Sequence, residues 1–199
     1  GGVSVGVPTS KVLENLGNGI FDDVTDELGV ALIQVRKSIV SWGDFDSDGN
    51  LDFFISGEQV LSGLTNEINN IYKGDGTGNF TILNNLNIVP VASGDAEWGD
   101  YDNDGDLDIA VMGSAQSTGA NSAIYRNNGD ETFNRITIPV NVGSGELAWG
   151  DYDGDRDLDL FISGFTGTVP FTRLIDNNNG IFQALEVIPN GLQLGSIDL

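Results

Sequence analysis

The chain has 199 residues and carries 8 Lys and Arg against 30 Asp and Glu, for a formal charge of −22. Eight cations within that negative field cannot neutralise a phosphate backbone, so a nucleic-acid partner is excluded, and an anionic membrane surface would repel the chain for the same reason. With no Cys and no His there is no disulfide, no thiolate or imidazole metal site and no Ser–His–Asp triad.

Read along the chain, GGVSVGVPTS (1–10) shows no basic or apolar leader pattern, and no apolar run approaches the length of a membrane span. LENLGNGIF (13–21) then reads as a hairpin around a Gly/Asn turn, and Thr25–Leu32 is a weak helical candidate. KSIVSW (37–42) alternates and ends on a Trp, an acidic loop follows, and LDFFIS (51–56) is the continuous apolar run of a strand covered on both faces. Ile71–Lys73 and Phe80–Leu83 flank a second Gly/Asp-rich turn.

This order then repeats. SWGDFDSDGNLDFFISG (41–57) returns as EWGDYDNDGDLDIAVMG (97–113) and AWGDYDGDRDLDLFISG (148–164). The hairpin pattern returns as YKGDGTGNF (72–80), YRNNGDETF (125–133) and LIDNNNGIF (174–182). One unit of about 50 residues builds the chain, with boundaries near 13–71, 72–124, 125–173 and a partial unit at 174–199. Four short strands per unit, Gly/Asp turns and one aromatic marker predict an all-β propeller of four-stranded blades, about three of them with flanking strands. A further Trp equivalent is expected near position 198, so the chain is expected to be a segment of a larger propeller.

Each unit holds a D-x-D-x-D-G-x-L-D loop. Carboxylates at positions 1, 3 and 5 of a tight loop converge, Gly at position 6 allows the turn, position 7 can present its carbonyl, and Asp at position 9 completes the shell. Gathered so closely, they repel unless a cation sits among them, and an all-oxygen, flexible, highly charged donor set suits Ca²⁺ better than Mg²⁺. An EF-hand is excluded because its twelfth position falls on Ile55, Val111 and Ile162 and no flanking helices are present.

The tandem W-G-D-[FY]-D-x-D-G-x-L-D units, joined by Y-x-x-x-G-x-x-x-F hairpins, resemble FG-GAP/VCBS repeats, and FDDVTDELGV (21–30) is similar to a stretch found in bacterial members. The resemblance covers essentially the whole chain and implies the calcium-binding β-propeller of integrin α-chains, here in its bacterial branch, with seven blades in the parent protein. It implies a loop between the first and second strands of each blade. It implies side-chain ligands Asp44, Asp46, Asp48 and Asp52, then Asp100, Asp102, Asp104 and Asp108, then Asp151, Asp153, Asp155 and Asp159. Asn50, Asp106 and Asp157 would supply carbonyls, giving three structural Ca²⁺ sites.

The expected function is a non-catalytic, calcium-binding extracellular module for adhesion or for binding a cell-surface protein or glycan, with no catalytic residues and no organic cofactor. Sites of this kind are often weak enough to be filled only outside cells, which favours a secreted or cell-surface location and a parent protein with a secretion signal. The alternatives are the propeller of a secreted polysaccharide lyase or glycoside hydrolase, or a spacer in a larger surface protein. An enzyme on acidic glycans would need a cationic cleft, whereas Lys11, Arg36, Lys37, Lys73, Arg126, Arg135, Arg156 and Arg173 are scattered.

Trp42, Trp98 and Trp149 are expected to pack between neighbouring blades, Tyr72 and Tyr125 to pack under their hairpins, and Asp22, Asp23, Asp26 and Glu27 to form a solvated face. The third loop has Arg156 where the others have Gly, and Gly154 two residues earlier. Strain at Arg156, and competition from its guanidinium, predict the weakest of the three sites there.

Overall fold

A computed structural model describes residues 8–83, 86–116 and 119–185. The expected further unit near position 198 lies outside these residues. The chain opens on a hairpin of β1 (Leu13–Gly17) and β2 (Ile20–Asp23), and the weak helical candidate is a single 3₁₀ turn at Thr25–Glu27. Three antiparallel four-stranded sheets follow. The first is β3 (Arg36–Gly43), β4 (Asp52–Leu61), β5 (Leu64–Gly74) and β6 (Phe80–Leu83). The second is β7 (Ala92–Gly99), β8 (Asp108–Ala115), β9 (Gly119–Asn127) and β10 (Phe133–Ile136), and the third β11 (Gly145–Gly150), β12 (Asp159–Thr166), β13 (Val169–Asn178) and β14 (Ile181–Ala184). Strands pair in sequence order within each sheet, so each is one meander: a propeller blade. The sequence units begin at the outer hairpin, so each joins the fourth strand of one blade to the first three strands of the next.

The blades stack face to face, with β3 beside β7 and β7 beside β11. The period-2 alternation of the second strand explains its unbroken apolar run, because successive side chains enter different interfaces. In β8, Ile109 and Val111 pack into the layer shared with the first blade, against Phe54 and Ile71. Ala110 and Met112 face the opposite way, toward Leu147, Leu160 and Ile162 of the third blade. In β4, Phe53 and Ile55 turn outward to meet Leu32, Val35 and Tyr72.

The aromatic marker fills the joint between blades. The Trp98 indole donates from Nε1 to the Ser41 carbonyl at 3.3 Å, and Trp149 donates to the Glu97 carbonyl at 3.2 Å. Each ring lies over the glycine that follows the previous Trp: a Cβ on Gly43 would sit 2.7 Å from Trp98, and one on Gly99 would sit 2.7 Å from Trp149. Trp42 is not between blades: it packs tilted against Phe53 of its own blade, at 48° between ring planes, and remains 49 % exposed. Tyr72 and Tyr125 are fully buried, their hydroxyls accepting from the backbone of Ile33 and Val89. Asp22, Asp23, Asp26 and Glu27 are exposed, and Asp23 pairs with Lys11. Among the described residues no helix is long and apolar enough to cross a membrane.

Candidate metal centres

Each acidic loop connects the first strand of a blade to its second, at one end of the stack. Its last Asp is also the first residue of the second strand: Asp52, Asp108 and Asp159, all within 1 % of complete burial. This carboxylate ties three segments together. Asp52 accepts from the backbone of Phe45 at 3.0 Å and of Gly74 at 2.8 Å. Asp108 accepts from Tyr101 at 3.2 Å and Asn127 at 2.8 Å, and Asp159 from Tyr152 at 3.0 Å and Asn177 at 2.8 Å. Burial is the main cause that pushes their carboxyls up, Asp52 to about 6 and Asp108 to about 7, with neighbouring carboxylates adding to it. The Asp159 carboxyl shifts in the same direction for the same first cause.

The first carboxylate of each loop organises the turn. Asp44 accepts from the amides of Asp48 and Gly49 at 3.0 and 2.9 Å, and Asp100 from those of Asp104 and Gly105 at 3.0 and 3.1 Å. In the third loop Asp151 accepts from Gly154 at 2.8 Å and Arg156 at 3.2 Å. Positions 4 and 6 are left-handed in all three: Ser47 and Gly49, Asn103 and Gly105, Gly154 and Arg156, the last at φ 82°. Gly154 therefore occupies a position that is left-handed in every loop, and the third chain path is the common one.

Each loop gathers three of its four expected carboxylates, without Asp52 in the first loop, Asp104 in the second and Asp155 in the third. Asp44, Asp46 and Asp48 present oxygens within 4.8 Å of one another, as do Asp100, Asp102 and Asp108, and Asp151, Asp153 and Asp159. Asp104 and Asp155 flank these trios, each accepting the amide two residues on. The side chains at position 7 point to the outer hairpin instead. Asn50 lies against Gly76, Asp106 against Gly129, and Asp157 accepts from the Asn179 amide at 3.2 Å.

The third position carries the observation that most directly favours a cation. One oxygen of Asp46 and one of Asp102, both Oδ1, are buried with no hydrogen-bond partner. A buried carboxylate oxygen without a donor is costly unless something else fills that role. Oxygen-only donors converging around such an atom fit a hard divalent cation.

The outer hairpin supplies residues that the loop motif alone does not reveal. Lys73 pairs with Asp46 and lies 3.1 Å from Glu131, and Arg126 lies 3.2 Å from Asp102 and 3.7 Å from Asp104. Asn127 and Asn177, each 1 % exposed, donate across to the previous blade, to the Phe45 carbonyl at 2.7 Å and the Tyr101 carbonyl at 2.9 Å. Their signal in the sequence is the shared Asn two residues after the buried Tyr or its counterpart, in TyrArgAsn and LeuIleAspAsn, with Gly74 in its place in the first hairpin.

Comparison with protein families agrees with this architecture. Residues 112–162 match the model of an FG-GAP-like repeat, a span running from the second strand of the second blade to the second strand of the third and including the third acidic loop. No curated protein matches the chain.

Proposed function

For this FG-GAP-like repeat chain we propose a non-catalytic, calcium-stabilised propeller module that works outside the cell and presents its blades for binding a protein or glycan. The carrying observation is the pair of buried, unpartnered oxygens of Asp46 and Asp102, each inside a carboxylate cluster. Asp44, Asp46, Asp48 and Asp52 would hold the first ion, Asp100, Asp102, Asp104 and Asp108 the second, and Asp151, Asp153, Asp155 and Asp159 the third, with Asn50, Asp106 and Asp157 offering carbonyls. A bound Ca²⁺ supplies positive charge that offsets the mutual repulsion of these groups. The chain's part is to fix the loops through the buried position-9 carboxylates and the left-handed turns.

An ion that binds only the folded state stabilises it by about 1.4 kcal/mol per site at tenfold saturation, and three such sites would add roughly 4 kcal/mol. That is a large share of the stability of an ordinary domain. Weak sites fill at extracellular calcium, which supports an extracellular role. For a polysaccharide-cleaving reading, the cations needed to hold an acidic glycan are engaged elsewhere: Lys11, Arg36, Lys37, Lys73 and Arg126 all pair with the chain's own acids.

Thermal melts with millimolar Ca²⁺ and with excess chelator test the metal reading. A rise of several degrees with Ca²⁺, reduced in Asp100→Ala, is expected; superimposable melts would sink it. A glycan array beside a reducing-sugar assay separates a binder from an enzyme.

A further inference from the structure

We infer that the N-terminal hairpin is the outer half of a blade, open on its inner edge to an extended strand donated by a partner polypeptide. The seat for that strand is the cavity in front of the first blade. This extends the protein-binding part of the reading above, and no residue lining the cavity belongs to an acidic loop.

β1 and β2 reproduce the third and fourth strands of a blade. Leu13 pairs with Asp23 and Asn15 with Phe21, as Tyr72 pairs with Ile82 and Gly74 with Phe80. Ser10 Oγ accepts from the Val35 amide at 3.4 Å, as Ser122 Oγ accepts from the Val142 amide at 2.9 Å. In the complete blades the third strand also pairs with the second, whereas among the described residues β1 pairs with β2 alone. Val12 spends both backbone groups on the β2 side, accepting from the Val24 amide at 3.1 Å and donating to Thr25 Oγ1 at 3.0 Å. Strand alternation therefore turns the N–H and C=O of Lys11 and Leu13 to the open edge. Asn15 holds the place of Gly74 and Asn127, whose amides go to the Asp that opens the second strand.

Beside this edge lies a cavity of about 430 Å³ lined by Leu13, Val40, Trp42, Phe53 and Ile55. Val40 is 49 % exposed, while Ala96 and Leu147, at the same register position in the next two blades, are 3 % and 4 % exposed. Those two share their layers with side chains from the second strand of the preceding blade, Phe54 in one joint and Ala110 and Met112 in the other. Val12 already packs in the place that Ile71 and Ile124 take in those joints. What the cavity lacks is the second strand, so it continues at the first blade the interface that closes the other two.

The register also states the chemistry of the occupant. It runs antiparallel to β1, opens on an acidic residue that accepts the Asn15 amide, and sends apolar side chains from its third and fifth positions into the cavity. Asp108, Ala110 and Met112 show the same arrangement in the second blade. This is strand addition to a sheet edge, with backbone bonds for affinity and the cavity for specificity. A second copy of the chain does not fit, because each four-stranded sheet already holds its own second strand and two chains of charge −22 repel.

The test titrates the whole chain, at physiological salt, with a synthetic peptide of residues 106–115, DLDIAVMGSA, followed by calorimetry and Trp fluorescence. Saturable binding of one peptide per chain is expected, with a blue shift as Trp42 is covered. Leu13→Pro removes an amide at the open edge and leaves the bonds of Val12 to the β2 side, and Val40→Trp puts a ring into the cavity. Each should weaken binding about tenfold, as should Met112→Asp within the peptide, which leaves the protein untouched. Near-ultraviolet circular dichroism verifies that both protein variants fold. No uptake by the parent chain, or uptake that Met112→Asp and the folded variants leave unchanged, overturns the proposal. Sedimentation that shows chain dimers with Trp42 shielded also overturns it, by placing a second copy in the seat. The calcium melts and the glycan array are unaffected by either failure and judge the broader reading separately.

Discussion

Asp108 shows how one side chain serves both the fold and the site. Its two oxygens receive the backbone N–H groups of Tyr101 and Asn127, so the loop and the third strand are held by the same carboxylate that joins the acidic trio. Asp108→Ala leaves two buried donors unpaired and should cost about 3 kcal/mol even in chelator, measured by denaturant unfolding. The pH dependence follows from burial. With the folded carboxyls of Asp52 and Asp108 pushed up to about 6 and about 7, the metal-free fold holds protons that the unfolded chain releases near pH 4. Their contribution is fully present below about pH 4 and is lost as pH rises through 7, so in chelator the melting temperature should fall between pH 5 and pH 8. A Ca²⁺ ion would take the ionised carboxylates, so under the proposed function its stabilising shift should be larger at pH 8 than at pH 5. An equal or larger shift at pH 5 would count against these carboxylates as ligands. The acidic spacing was legible in the sequence, but the contacts of Lys73 and Arg126 with it were not, because they depend on strand register.

At the scale of the element, the blade joint is a Trp of one repeat laid over a Gly of the repeat before it. The sequence displays the Trp–Gly pair as neighbours in the chain, and the packing of Trp98 and Trp149 between blades could be read from their recurrence. That Gly43 answers to Trp98, and Gly99 to Trp149, could not, since it requires knowing which face each blade turns to the next. Gly99→Ala would place a methyl 2.7 Å from the Trp149 ring, displacing the indole and its bond to Glu97. A loss of about 1–3 kcal/mol is expected, with altered Trp fluorescence. An unperturbed melt and spectrum would show that the joint is looser than described. The early part of β5, LTNEINN, escaped prediction because half-exposed polar residues there give no apolar alternation. It is a strand because its backbone pairs with β4, from Leu61↔Leu64 onward.

Across the whole molecule the three loops are chained. Ser47 donates to the Gly105 carbonyl at 3.3 Å, and Asn103 donates to the Arg156 carbonyl at 3.3 Å and to Asp157 Oδ1 at 3.1 Å. The residue at position 4 of one loop thus holds positions 6 and 7 of the next, the stretch that would present a carbonyl to the neighbouring ion. The sequence shows three separate motifs, and only the stacking of blades turns them into a row. An ion that orders the second loop fixes Asn103 and so prepares the third. Repulsion between the two ions opposes this, but it is screened over a Debye length of about 8 Å at physiological salt. Two exposed hydrogen bonds contribute about 1 kcal/mol together, a coupling of about fivefold. Removing the second site with Asp100→Asn should therefore weaken Ca²⁺ at the third about fivefold. In an Asn103→Ala background the same removal should leave the third site nearly unchanged. A double-mutant cycle on the calorimetric affinities reads this difference directly. Equal losses in both backgrounds would mean that the ions, if they feel one another, do so through charge alone and not through Asn103.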